Sequence, residues 1–164
     1  MKENHSISIC IKSEDQTRKL AKILASRIGP GCLILLDGTL GTGKSTLARH
    51  MIRSLLNQPE LEVPSPTFLL VLPYGNEEYS ILHADIYRIE HPEEVEELGL
   101  FEDENAIVIV EWPQRAPWLA TEADLVIHMT MGKKQTDRLI KMEAPGNPNL
   151  LEQADRDLAS LKSE

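Results

Sequence analysis

The run Gly38-Thr-Leu-Gly-Thr-Gly-Lys44-Ser45 has the spacing Gly-x-x-x-x-Gly-Lys-Ser of a Walker A phosphate cradle. Glycines at 38, 41 and 43 let backbone N–H groups turn inward around phosphate oxygens. A helix starting at the loop adds unpaired N–H groups and a partial positive charge, and Lys44 adds a point charge near the β and γ oxygens. The Ser45 hydroxyl is then placed to bind Mg²⁺. A glycine turn arising by chance would lack the flanks seen here, an apolar strand directly before and an amphipathic helix directly after.

Phosphoryl transfer also needs a carboxylate beside the metal and a group that orients the attacking water, normally at the carboxyl ends of neighbouring strands. Asp85 follows the run Tyr79–Ala84, and Glu111 follows Ala106–Val110. Spacing alone does not say which of them holds Mg²⁺ and which handles the water. Thr67, delivered by the stiff Pro64-Ser-Pro66 segment, stands in chain order where switch GTPases carry a γ-phosphate-sensing threonine. Arg88 and Arg115 are the nearest candidates for contacting transferred phosphate, with surface ion pairs as the alternative. His83, His91 and His128 lack metal-ligand spacing and are expected to be structural. Trp112 and Trp118 are expected to be packing residues, Trp112 with the added option of fixing the Glu111 rotamer.

The elements that must hold these groups follow from periodicity. Ser13 with Gln16 has the form of a capping box, and Thr17, Leu20, Ala21, Leu24 and Ile28 recur on one face until Gly29-Pro30-Gly31, predicting a helix over 14–28. Cys32–Leu36 reads as a strand covered on both faces, and Leu47, Ala48, Met51, Ile52 and Leu55 predict a helix after the glycine loop. Phe68–Leu72, Tyr79–Ala84, Ile107–Val110, Leu125–Met131 and Leu139–Ala144 are further strand candidates. Pro92, the glutamates after it and Gly99 predict a short acidic helix. Leu151, Ala154, Leu158 and Leu161 predict a C-terminal helix over about 145–164 that packs back on the domain, with docking of a partner as the alternative. The expected fold is α/β of the P-loop NTPase type: a mostly parallel central sheet flanked by helices, with antiparallel C-terminal strands.

At 164 residues and 41% hydrophobic content, the chain is expected to form one domain over 1–164. The polar start Met1–His5 and the interrupted apolar run after it support neither a signal peptide nor a membrane span, so a cytoplasmic protein is expected. Cys10 and Cys32 lack zinc or redox spacing and are expected to be buried reduced thiols. A net charge of −9 works against tight sequence-independent binding to a polyanion, and 4% aromatic content leaves few stacking platforms for RNA. Nucleic acid, if involved, is expected to be held by a partner.

Taken together, the residues resemble the TsaE (YjeE-type) ATPases of bacterial tRNA threonylcarbamoyladenosine biosynthesis. The resemblance covers roughly 13–144 and rests on Ser13-Glu-Asp-Gln-Thr17, Gly38–Thr46, Val63-Pro-Ser-Pro-Thr-Phe68, His83-Ala-Asp-Ile-Tyr-Arg88 with Pro92-Glu-Glu94 and Gly99, and Val110-Glu-Trp-Pro113. It implies ATP hydrolysis that drives or resets a TsaB–TsaD assembly modifying adenosine 37 of tRNA, with tRNA contacted only through that complex. It further implies that Gly38, Leu40, Gly41, Thr42, Gly43, Lys44, Ser45 and Thr46 bind the nucleotide and that Ser45 and Glu111 bind Mg²⁺. Asp85, Glu111, Lys44 and Thr67 would serve catalysis, and Thr17 would lie near the base. The chain departs from the family's usual loop at Thr39, Thr42 and Ser45, which stand for Asp, Ala and Thr. Serine keeps the metal-binding hydroxyl, while loss of the loop aspartate bears on turnover more than on binding.

Two readings compete: a small-molecule P-loop kinase using Asp85 to orient a substrate hydroxyl, for which no arginine-rich lid is visible, and a nucleotide-gated adaptor in which hydrolysis is incidental. A GTPase is disfavoured by the absence of an Asn-Lys-x-Asp guanine-reading motif.

Overall fold

In the computed structural model, which describes residues 5–164, the first element is one that the sequence reading omits. Ser6–Ile11 is a strand, β1, whose Ile7, Ile9 and Ile11 are buried while Ser6 and Ser8 face solvent. This strict alternation is the period of a half-covered sheet. Cys10 shares the outer side and is only half-buried, and Cys32 is also half-buried, so neither thiol is sequestered as expected; both are free. The polar start from Met1 to Asn4 lies outside the described residues.

Helix α1 spans Glu14–Ala25, ending three residues short of the predicted 28 because Ser26 to Ile28 close it as a turn. Ser13 caps it by accepting from the Gln16 N–H at 3.2 Å, and the Gln16 side chain accepts from Lys12 N–H at 2.8 Å. The reciprocal bond of a capping box has thus moved one residue back. Strand β2 spans Leu33–Gly38 and runs into the glycine loop, after which α2 covers Lys44–Leu56.

The strand predicted over Phe68–Leu72 forms three residues later. Leu70 N–H bonds Pro66 O at 2.7 Å and Leu70 takes φ 66°, so residues 67–70 form a turn; β3 is Val71–Gly75. Pro73 has no N–H to give a ladder and sits in this edge strand, where that loss is tolerated. The remaining strands lie within about a residue of expectation: β4 Ser80–Asp85, β5 Ile107–Glu111, β6 Leu125–Met131 and β7 Arg138–Glu143. The acidic segment Pro92–Leu98 is a 3-10 helix capped by His91, and a single turn, α3, covers Leu119–Glu122.

The sheet order is β1-β7-β6-β2-β5-β4-β3. The four central strands β6, β2, β5 and β4 are parallel; β7 and β1 extend one side antiparallel, and β3 closes the other edge antiparallel. This is a P-loop NTPase-type α/β fold with the expected antiparallel C-terminal pair, and its antiparallel share is enlarged by β1 and β3.

The sheet separates two cores. Ile34 and Leu36 of β2 face α1, α2 and the final helix α4 (Pro148–Lys162), while Leu33 and Leu35 face the layer containing Ile86, Val95, Leu100 and Leu119. Both faces of β2 are therefore dry, as its uninterrupted apolar run requires. Leu151, Ala154 and Leu158 of α4 are fully buried, so the C-terminal tail packs back against β1 and α1. Among the described residues, no helix is long and apolar enough to cross a membrane.

Candidate functional site

The glycine loop lies at the carboxyl end of β2, and its shape is set by what surrounds it. At Gly38 an added Cβ would lie 2.6 Å from both Met129 O and Thr42 Oγ1, closer than atoms pack without displacement. Gly43 has φ 97° and stands at the N-cap of α2 with no side chain capping the helix, so the first-turn amides of α2 are left without a side-chain acceptor.

Lys44 is 5% exposed, and its ammonium donates to Gly38 O at 2.8 Å and Thr39 O at 2.9 Å. The indole of Trp112 faces the same ammonium at 4.2 Å. Burial pushes the Lys44 pKa below its ordinary value, while Glu111, Asp85 and Asp37 pull it back up. Ser45, the next residue, donates its hydroxyl to Glu111 Oε1 at 2.8 Å.

Strand register places the two carboxylates side by side, because Asp85 of β4 is the direct partner of Glu111 of β5. Glu111 is 1% exposed, and its second oxygen meets His83 Nε2 at 2.6 Å. His83 is equally buried, and its Nδ1 has no protein partner. Asp85 accepts from the Tyr87 N–H at 3.0 Å and from Thr67 Oγ1 at 3.2 Å, and the Thr67 hydroxyl also meets Ser65 Oγ at 2.7 Å. The segment leading to Thr67 is tied to α2, since Arg53 Nε donates to Leu61 O at 2.8 Å and Arg49 Nε to Val63 O at 3.2 Å.

Burial raises the Asp85 pKa above its ordinary value of 3.8; the Tyr87 amide opposes this, and the Glu111 charge adds to it. An acid whose folded pKa is raised weakens the fold when ionised. That penalty is present above the raised pKa and disappears as the carboxyl is protonated at lower pH. Asp85→Asn, in metal-free and nucleotide-free buffer, is therefore expected to melt higher than the parent at neutral pH. The difference should shrink as pH falls through the carboxyl range; an equal or lower melting temperature for the variant at neutral pH would contradict this account.

Leu40, Gly41, Gly43, Lys44, Ser45 and Thr46 meet Thr67, Asp85 and Glu111 around one cavity of about 440 Å³. Gly38 and Thr42 support the loop from behind. Thr42 is fully buried and reaches a second hollow of about 200 Å³, which Thr17 of α1 also lines. The Thr17 hydroxyl is turned back to Ser13 O at 3.3 Å.

Several side chains stand where the sequence reading did not put them. His83, expected to be an ordinary structural histidine, holds Glu111; the period of two in β4, which puts His83 on the same face as Asp85, was the available signal. Trp112, expected to be packing, covers Lys44, has φ 64° and packs at a 52° tilt against Tyr87 with ring centroids 4.6 Å apart. Arg88 and Arg115 do not line the cavity: Arg88 lies over Phe68 at 5.3 Å and Arg115 over Tyr87 at 5.2 Å. The arginine on the cavity wall is Arg138, which nothing in its neighbourhood of sequence singles out. His128 is indeed structural, bridging Asp37 at 2.9 Å and Glu143 at 3.6 Å.

Comparison with known proteins is consistent across three kinds of match. The family profile described as "Threonylcarbamoyl adenosine biosynthesis protein TsaE" matches residues 11–140. The tRNA threonylcarbamoyladenosine biosynthesis protein TsaE of Rickettsia felis is 36% identical over 69% of this chain and 66% of its own length. Its Rickettsia conorii counterpart is 38% identical over 68% of this chain and 63% of its own length. The match thus spans just under two thirds of those two relatives. The Haemophilus influenzae protein of the same name is 33% identical over 68% of this chain and 72% of its own length. The crystal structure of the Bacillus protein YdiB superposes with a TM-score of 0.74 at 22% identity, covering 95% of this chain and 98% of that one, which is a likeness of fold.

Proposed function

We propose, from the premise that this chain belongs to the TsaE family, that it is a Mg²⁺-dependent ATPase serving the threonylcarbamoylation of tRNA adenosine 37. The observation that carries this reading is the Ser45 hydroxyl bonded to the Glu111 carboxylate at 2.8 Å, beside the buried Lys44 ammonium.

The oxygen donors of Ser45 and Glu111 suit a hard divalent ion. Mg²⁺ characteristically binds through one or two protein oxygens together with phosphate and water. Among the described residues there is no cluster of three or more His, Cys, Asp and Glu side chains to form an all-protein cage. Bound there, Mg²⁺ would neutralise charge building on the β and γ oxygens. Lys44 would shift from its loop carbonyls to those same oxygens. The amides of Gly41, Thr42, Gly43 and Ser45 would line the phosphates, with Leu40 and Thr46 completing the loop around them. Asp85 would orient the attacking water, with Thr67 beside it as the element that responds to the γ-phosphate. Thr17 would approach the nucleotide from behind the loop, toward the base.

Residues 1–164 would act as one cytoplasmic ATPase unit whose partners are TsaD- and TsaB-like proteins. Leu40 and Phe68 are 85% and 83% exposed next to the site, which supports docking of a protein over its mouth. A net charge of −9 supports contact with tRNA through that partner and not directly.

Reconstitution separates a motor from an adaptor. Multiple-turnover modification of tRNA by the TsaB and TsaD proteins is expected to require this chain together with ATP. A nonhydrolysable analogue should not sustain it; full modification with the analogue would replace the motor reading by the adaptor.

A further inference from the structure

The β6–β7 hairpin is remote in sequence from the glycine loop, yet its Arg138, which stands between the cavity and the second hollow, grips that loop by its backbone. Arg138 Nε donates to Thr42 O at 3.0 Å, and Nη2 donates to Gly41 O at 3.2 Å. The other end of the guanidinium, Nη1, donates to Gln135 O at 2.6 Å and to Asp137 O at 3.0 Å, within the hairpin's own turn. These four bonds use four of the five N–H groups of an arginine.

A trans peptide is planar, with its C=O and N–H pointing in opposite directions. There are no cis peptides among the described residues. Holding the Gly41 carbonyl therefore fixes the Thr42 N–H on the side of the peptide away from the guanidinium, and holding the Thr42 carbonyl does the same for the Gly43 N–H. The direction agrees with the loop itself. Thr42 N–H faces Thr39 O at 3.4 Å, and that same oxygen receives the Lys44 ammonium at 2.9 Å.

We propose that Arg138 is a positioning residue for phosphate binding: its guanidinium fork fixes two loop peptides so that the Thr42 and Gly43 amides are aimed at the ligand before it arrives. The proposal rests on the nucleotide-binding reading of the site. Preorganisation of this kind strengthens binding because the loop loses less freedom when the phosphate docks. It also distinguishes Arg138 from an arginine acting through its charge, since most of its donors are committed to carbonyls.

Full-length Arg138→Lys and Arg138→Ala test this. Lysine keeps the charge but offers one nitrogen where the guanidinium offers three, so it cannot hold the two loop carbonyls and the hairpin turn together in one rigid plane. Both variants are expected to bind Mg·ADP about tenfold or more weakly than the parent by calorimetry, as loss of charge-assisted hydrogen bonds predicts. In nucleotide-free ¹H–¹⁵N spectra, the Thr42 and Gly43 amide resonances should move while those of α4 stay in place. Parental ADP affinity in Arg138→Lys, or unmoved Thr42 and Gly43 resonances, would overturn the proposal. Should Arg138→Ala fail to fold, Arg138→Lys alone decides. If the parent itself binds no ADP, the nucleotide reading fails, and the amide resonances still report whether Arg138 orients the loop.

Discussion

Lys44→Ala is expected to abolish measurable ATP binding, weakening affinity by at least about 100-fold. The ammonium supplies charge-assisted hydrogen bonds, each worth about 1.5–3 kcal/mol, and two such bonds to phosphate exceed a hundredfold in affinity. Its environment strengthens the case. The side chain is held in place by Gly38 O, Thr39 O and the Trp112 face, so little freedom is lost when it turns to a phosphate. Truncation leaves those two carbonyls beside a cavity that water can enter, so the fold should survive. Calorimetric titration with Mg·ATP decides the matter: parental affinity in a folded variant would remove the phosphate site.

Glu111→Gln is expected to cut partner-stimulated ATP hydrolysis by about 100-fold or more, the scale seen when one preorganised charge-stabilising group is lost, while ADP still binds. The amide keeps the shape of a side chain that is 1% exposed, and its oxygen can still accept from Ser45. Its NH₂ would face His83 Nε2, which now has to accept, so the imidazole proton moves to Nδ1, a nitrogen without a protein partner. The variant thus loses the charge that would hold the metal and turns the unpartnered Nδ1 from an acceptor into a donor. Turnover is to be measured with the TsaB and TsaD proteins present, alongside tRNA modification. If modification proceeds at the parental rate, hydrolysis is incidental and the nucleotide acts only as a gate.

How far these residues could be read from sequence depended on whether the information was local. The Gly38–Ser45 loop, its preceding strand and its following helix were legible because motif and periodicity lie within one stretch of chain. The strand expected over Phe68–Leu72 is displaced because that apolar run is not packed chain: Phe68 and Leu69 are 83% and 71% exposed, and Leu70 adopts a left-handed φ. β1 was omitted although Ser6–Ile11 alternates cleanly, because its pairing partner β7 lies at the far end of the chain. Asp85 and Glu111 were legible as strand-end carboxylates, whereas their pairing depends on the β4–β5 register, which no local pattern encodes. Arg138 was illegible for the same reason: its two loop contacts cross 96 and 97 positions of sequence.

The indole of Trp112 lies 4.2 Å from a cation whose bonding partners are expected to change when a triphosphate arrives. Its near-ultraviolet emission is therefore coupled to the state of that cation without any attached dye. The only other indole, Trp118, sits edge-on to Phe101 at a centroid distance of 6.1 Å and does not line the cavity. Trp118→Phe accordingly leaves a single native fluorophore at the one place where loading and release can be followed in real time.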